Sequence, residues 1–250
     1  GIDFFTSAYS LELVDFIEPF VDVYKIGSGD ITWIEILEHT AKKNKPILLA
    51  TGASSLEDVA RAVTAIKKHT RKICLMQCNT NYTGSQENFK YCNLNVLKQY
   101  KSIYPDLTLG LSDHTPGHST VLGAIALGAS VFEKHFTDDN GRDGPDHSFA
   151  MNPKTWAEMV DRSKELWVAL GSGKKIIEDN EKESVIVQRR SLHFTRDLKQ
   201  GEVITESDLI PLRPCPEDGI APHQIQTVVG KKVLTDITNG KPVRWTVLKH

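Results

Sequence analysis

The chain has 250 residues, 40% of them hydrophobic and 25% charged, with a formal net charge of -2. That length can bury one large domain, or a medium one with a small appendage. Near-neutral charge gives no electrostatic case for nucleic acid or an anionic membrane surface, and no apolar stretch approaches the roughly 20 residues needed to span a bilayer.

The chain opens on an apolar run, Asp3–Ser7, with no initiator methionine, signal peptide or lead-in. It reads as the middle of a domain in an incompletely represented chain. Further strand signals follow at Asp22–Gly27, Pro46–Thr51, Lys72–Cys78, Leu107–Ser112 and Ser130–His135. Helical signals alternate with them at Leu11–Phe20, Ile34–Lys43, Leu56–His69, Glu87–Tyr100, Ser119–Gly128 and Pro153–Gly171. Ser54 with Glu57 has capping-box spacing, and Asn152 before Pro153 supplies a cap and a first-turn proline. Strict alternation with apolar strands means a parallel sheet covered by helices. Six βα units are countable, two short of a TIM barrel, whose chemistry sits on the loops where strands end. Here those ends carry Thr6-Ser7, Lys25 through Asp30, Thr51-Gly52, Gln77 through Tyr82, Ser112-Asp113-His114 and Lys134-His135. A doubly wound open sheet gathers polar residues at the same edge, so the pattern speaks for a site before it speaks for closure.

The four cysteines, Cys74, Cys78, Cys92 and Cys215, do not form a disulfide framework. Cys74 and Cys78 share one face of a strand-like run and read as buried thiols, which places the chain in a reducing, cytoplasmic compartment. After Gly173 the pattern changes. Residues 174–184 are charge-rich and read as a solvated linker. Residues 185–250 are short elements between many Gly and Pro turns, a small β-rich domain following a barrel domain over 1–173.

His114 and His135 each end a strand signal, with the helical segment Ser119–Gly128 between them. Parallel strands joined by a crossover helix bring both imidazoles to one sheet edge. Neutral imidazole is the commonest side-chain metal ligand, and two at one edge can hold a divalent ion with open positions. The plainer alternative is two unrelated histidines, one a cap and one a core hydrogen bonder.

Six segments then carry a resemblance: Tyr24-Lys-Ile-Gly-Ser-Gly29, Ala50-Thr-Gly52, Leu111-Ser-Asp-His-Thr115, Glu133-Lys-His-Phe-Thr137, Gly144-Pro-Asp-His-Ser148 and Arg189-Arg-Ser-Leu192. In that order they resemble the sialic acid synthase family, the N-acetylneuraminate synthases with their legionaminate and pseudaminate relatives. The tail resembles the antifreeze-like, or SAF, domain that follows the barrel in those enzymes. The resemblance implies a TIM (β/α)8-type barrel lacking its first two strands here, followed by the SAF domain. It implies a C–C bond-forming transferase that condenses phosphoenolpyruvate with an N-acetylated hexosamine (N-acetylmannosamine or a 2,4-diacetamido relative), releasing phosphate.

Residue by residue, the resemblance implies a divalent ion on His114 and His135, Mn2+ foremost and Mg2+ or Co2+ also suited. Lys25, Ser28, Ser112, Ser7 and Tyr82 match positions around phosphoenolpyruvate. Asp146 and Asp30 match acidic positions near the sugar hydroxyls. Arg213 matches an arginine that reaches the sugar's N-acetyl group from a partner subunit, which implies a homodimer whose SAF domain caps the neighbouring barrel. Ala50 stands where many members carry a serine, and Thr83 where the usual pattern has proline. Two other readings stand beside this one: another phosphoenolpyruvate-condensing 3-deoxy-sugar-acid synthase, and a non-catalytic sugar-binding barrel. Scattered arginines at 61, 71, 142 and 162 form no cluster for the terminal phosphate that the first would need.

Overall fold

A computed structural model describes residues 1–249; His250, the last residue of the predicted second domain, lies outside the described residues. The chain divides into two compact units, one over Gly1–Gly173 and one from Lys174 onward. No helix among the described residues is long and apolar enough to cross a membrane.

The first unit alternates strand and helix. Its strands are β1 (Tyr24–Ile26), β2 (Ile47–Ala50), β3 (Ile73–Cys78), β4 (Thr108–Asp113) and β5 (Val131–Lys134). Its helices are α1 (Leu11–Ile17), α2 (Ile34–Lys42), α3 (Leu56–Lys67), α4 (Val96–Ile103), α5 (Ser119–Ala126) and α6 (Pro153–Ala169). Every strand pairs in parallel with its sequence neighbours, in the order β1-β2-β3-β4-β5. Laid flat, four strand spacings would set β1 and β5 about 19 Å apart. Yet Lys25 of β1 lies 3.0 Å from Glu133 of β5, closer than a lysine and a glutamate could come across that gap. The sheet is therefore curled, as a barrel wall is.

Register divides the side chains between two faces. Lys25, Leu48, Ala50, Cys74, Met76, Cys78, Gly110, Ser112 and Glu133 lie along one set of paired positions and line the inside of the curl. The alternate residues Tyr24, Ile26, Ile47, Leu49, Ile73, Leu75, Leu109 and Leu111 join one apolar core with the helices outside. Gly110 is glycine because the inner face is crowded there: a Cβ would meet Met76 Cγ and the Val131 carbonyl, each at 2.9 Å. Among the described residues all four cysteines are free, and burial pushes Cys74 up to about 12 and Cys92 to about 11.

Three local expectations need correction. Asp3–Ser7 is not a strand: it makes one parallel bridge, Ser7 to Lys25, and Ile2, Phe4 and Phe5 stay exposed. Five paired strands, not six, are therefore present. The segment predicted as one helix over Glu87–Tyr100 is a 3-10 turn, Gln86–Tyr91, followed by α4. Between them Asn93 adopts φ 44°, a left-handed conformation that asparagine tolerates and that an α-helix cannot contain. The capping box before α3 lies one residue later than its spacing suggested. Ser55 accepts from Asp58 N at 3.2 Å, and the Asp58 carboxylate accepts from Ser55 N at 2.9 Å. At α6 the Asn152 cap and the first-turn proline are as read.

The second unit holds α7 (Lys182–Gln188), β6 (Ser191–Phe194), β7 (Leu209–Leu212) and α8 (Ile225–Val228). β6 and β7 pair antiparallel, and isolated bridges such as Leu198 to Ile237 and Val233 to Leu248 knit the rest. Its core is Leu192, Phe194, Leu198, Ile204, Leu209, Ile220, Val228, Val233, Val243 and Leu248. The unit is small and held by many short pairings. Helix α7 begins inside the segment read as linker. The Ile186 carbonyl accepts from Cys215 N at 2.8 Å, tying α7 to the turn after β7.

Candidate active site

The C-terminal ends of β3, β4 and β5 bring three rings together. His114 and His135 have ring centroids 5.0 Å apart, and Tyr82 lies 4.4 Å from the first and 5.6 Å from the second. Phe149 packs against His135 with ring centroids 5.2 Å apart. Gly84 lets the Tyr82 loop close on this cluster, since its φ is +63° and a Cβ would come within 2.6 Å of Phe149.

Each imidazole is oriented from behind. His114 Nδ1 donates to the Asn79 backbone carbonyl at 3.0 Å, and His135 Nδ1 meets the Asp146 carboxylate at 3.3 Å. An oxygen acceptor is met only by an N–H, so Nδ1 carries the proton in each ring and Nε2 keeps its lone pair. Burial is the main cause that lowers both histidines from the ordinary 6.5, and for His135 the neighbouring His114 adds to it. Both rings are thus neutral near neutral pH. These are the attributes of metal-ligating histidines: neutral, tautomer fixed by an outer oxygen, and close enough for both to reach one ion with bonds of about 2 Å. Among the described residues no third His, Cys, Asp or Glu completes a ligand cluster. The residues fit an ion held at two corners, with its other positions open.

The lowered values set a pH dependence. The unfolded chain binds protons near 6.5 and the folded chain only below that, so this contribution to stability is complete above 6.5 and is lost as the pH falls through it. The unfolding midpoint of the metal-free protein is expected to drop as the pH falls below 6.5, and the drop should shrink when both histidines are replaced by asparagine. An equal drop in that variant would assign it to other groups.

On the inner face of the sheet, Lys25 Nζ lies 3.0 Å from Glu133 Oε2. That oxygen is buried and has no aligned hydrogen-bond donor, so the pairing is a close charge contact rather than a directed bond. Ser28 Oγ accepts from Gly52 N at 2.9 Å, which ties the loop after β1 to the loop after β2. Ser112 is buried on the inner face, paired in register with Cys78 and Glu133. Ser7 bridges to Lys25, and Asp30 ends the turn that follows β1. Arg213 lies in the second unit, where its Nε donates to the Gln188 carbonyl at 2.6 Å.

Of the residues singled out from sequence, His114, His135 and Tyr82 are in mutual contact, and Asp146 touches His135. Four others were missed. Glu133 is two residues before His135, a spacing that puts both on the inner face, and that period was available in the sequence. Asn79, Asp113 and Lys134 act through long-range pairing that no local pattern announces.

The family model described as the NeuB family matches residues 1–175, and that of the SAF domain matches residues 189–249. An N,N'-diacetyllegionaminic acid synthase of Legionella pneumophila is 34% identical over 251 residues, covering 98% of this chain and 69% of its own. The human N-acetylneuraminate-9-phosphate synthase is 31% identical, covering 95% of this chain and 65% of its own. The crystal structure of an N-acetylneuraminic acid synthetase from Leptospira borgpetersenii superposes with a TM-score of 0.68 at 30% identity, covering 74% of this chain and 64% of that one.

Proposed function

Because this chain belongs to the NeuB family, we propose that it is a synthase of nonulosonic, sialic-type sugar acids, joining phosphoenolpyruvate to an N-acetylated hexosamine with consumption of one water and release of phosphate. The observation that carries the reading is the pair of neutral imidazoles at the strand ends of one curled sheet whose inner face also carries a lysine. His114 and His135 would hold the divalent ion, Mn2+ foremost, which when bound supplies Lewis acidity toward a carbonyl oxygen. Lys25 contributes the cation that a phosphate or carboxylate requires, and the nearby hydroxyls of Ser28, Ser112 and Ser7 contribute neutral donors. Glu133 keeps the lysine aimed into the site before substrate arrives. Tyr82 walls the imidazoles from bulk water on one side. Asp146 and Asp30 are acceptors suited to sugar hydroxyls, and Asp146 also orients His135.

The deciding measurement is phosphate release from phosphoenolpyruvate with Mn2+ and a panel of acceptors, N-acetylmannosamine and 2,4-diacetamido hexoses included, with product mass by mass spectrometry. Acceptor-dependent release of phosphate with a product of condensed mass is the expected result. Release with no member of the panel would favour a sugar-binding barrel without turnover.

The proposed working form is a homodimer in which Arg213 of one subunit serves the partner's site. Mixing an Arg213→Ala subunit with a His114→Ala subunit is then expected to restore activity, because one composite site per mixed dimer has both residues. Mixed dimers without rescue would place the arginine's action within its own chain.

A further inference from the structure

Asp113 and Lys134 directly precede the two histidines and are register partners at the ends of β4 and β5. Their side chains leave the sheet on the face opposite the imidazoles. Lys134 Nζ lies 2.6 Å from Asp113 Oδ2, with only 2% and 4% of the two side chains exposed. The same carboxylate accepts from the Thr115 hydroxyl at 2.8 Å and from the Thr120 hydroxyl, in the first turn of α5, at 2.7 Å. Its other oxygen accepts from Thr115 N at 3.3 Å, and Lys134 also donates to the Thr115 carbonyl. One carboxylate thus ties together the end of β4, the turn after His114, the start of α5 and the end of β5.

A buried ion pair is a poor way to gain stability, since a well-packed apolar pair of the same volume often does as well or better. What it adds is direction. Apolar contacts tolerate sliding, whereas these bonds fix where each strand end leaves the sheet, and the next residue on each strand is a histidine. Neither side chain faces the inside of the curl, so neither can touch substrate or metal.

We infer that Asp113 and Lys134 are positioning residues that hold the His114 and His135 rings at the separation needed to share one metal ion. The inference depends on the reading that these two histidines bind metal. The test is the affinity of the full chain for Mn2+ alone, with no substrate present. The variant is Asp113→Asn with Lys134→Met, which removes both charges, keeps the volume and leaves oxygen and nitrogen for the threonines. Its Mn2+ Kd is expected to rise about tenfold, the low end of what outer-shell changes cost. The thermal midpoint should stay near that of the parent, and the KM for phosphoenolpyruvate should not move. An unchanged Mn2+ Kd in this variant overturns the inference. Should the variant fail to fold, Thr120→Val decides: it keeps the ion pair and removes only the link to α5. Weaker Mn2+ binding there supports the inference, and unchanged binding overturns it. His114→Ala is measured alongside. If that variant alone binds Mn2+ as tightly as the parent, the metal reading has failed; if it loses Mn2+ and the paired variant does not, only the positioning role has.

Discussion

Replacing His114 or His135 by alanine is expected to abolish both Mn2+ binding and turnover. Only two protein ligands are available, since no third His, Cys, Asp or Glu completes a cluster among the described residues. A single imidazole cannot hold a labile divalent ion against water at working concentrations. Asp146→Asn is expected to act more mildly, weakening Mn2+ binding by about 10-fold. It removes the carboxylate behind His135 Nδ1 and leaves the ring itself. The measurement is metal stoichiometry after equilibrium dialysis, read beside activity. Full manganese occupancy in either alanine variant would sink the assignment of these two ligands.

Lys25→Ala is expected to weaken phosphoenolpyruvate by about 2–4 kcal/mol, the cost of a charge-assisted contact in a confined site. That corresponds to a rise of about 30- to 1,000-fold in its KM. The substitution has a second consequence, because it strips Glu133 Oε2 of the cation that lies 3.0 Å from it. The carboxylate, half exposed but with that one oxygen buried, would itself repel an anionic substrate and lower stability modestly. Comparing Lys25→Ala with Lys25→Ala/Glu133→Gln separates the two effects. If the lysine binds the substrate, the double variant stays weak for phosphoenolpyruvate while its unfolding midpoint recovers. Restored affinity in the double variant would mean the lysine serves only to neutralise the glutamate.

Much of the barrel domain was legible because a parallel strand covered on its outer face by helices reads as an apolar run, and each run here is followed by a helix, with side-chain caps at α3 and α6. The two histidines were legible for a related reason: both follow such runs directly, and topology alone then sets them at one edge. The failures are equally physical. Asp3–Ser7 has strand composition, but it makes only one bridge among the described residues, so composition did not become a strand. Asn93 breaks a helical pattern by a backbone conformation that its residue type permits but does not announce. Lys25 and Glu133 are neighbours only because the sheet curls, and no local window contains that curvature. The same holds for Asp113 and Lys134, whose pairing depends on the register of β4 against β5.

The division of the sheet into an apolar outer face and a chemical inner face has an evolutionary consequence. Residues that hold the helices and residues that line the inside of the curl alternate along the same strands, one backbone thickness apart. Selection can rewrite Ala50, Cys78 or Ser112 on the inside while Leu49, Leu75 and Leu111 go on holding the helices. On the proposed function, a lineage built on this plan can vary the inside of the curl by single substitutions while the outer face goes on holding one scaffold.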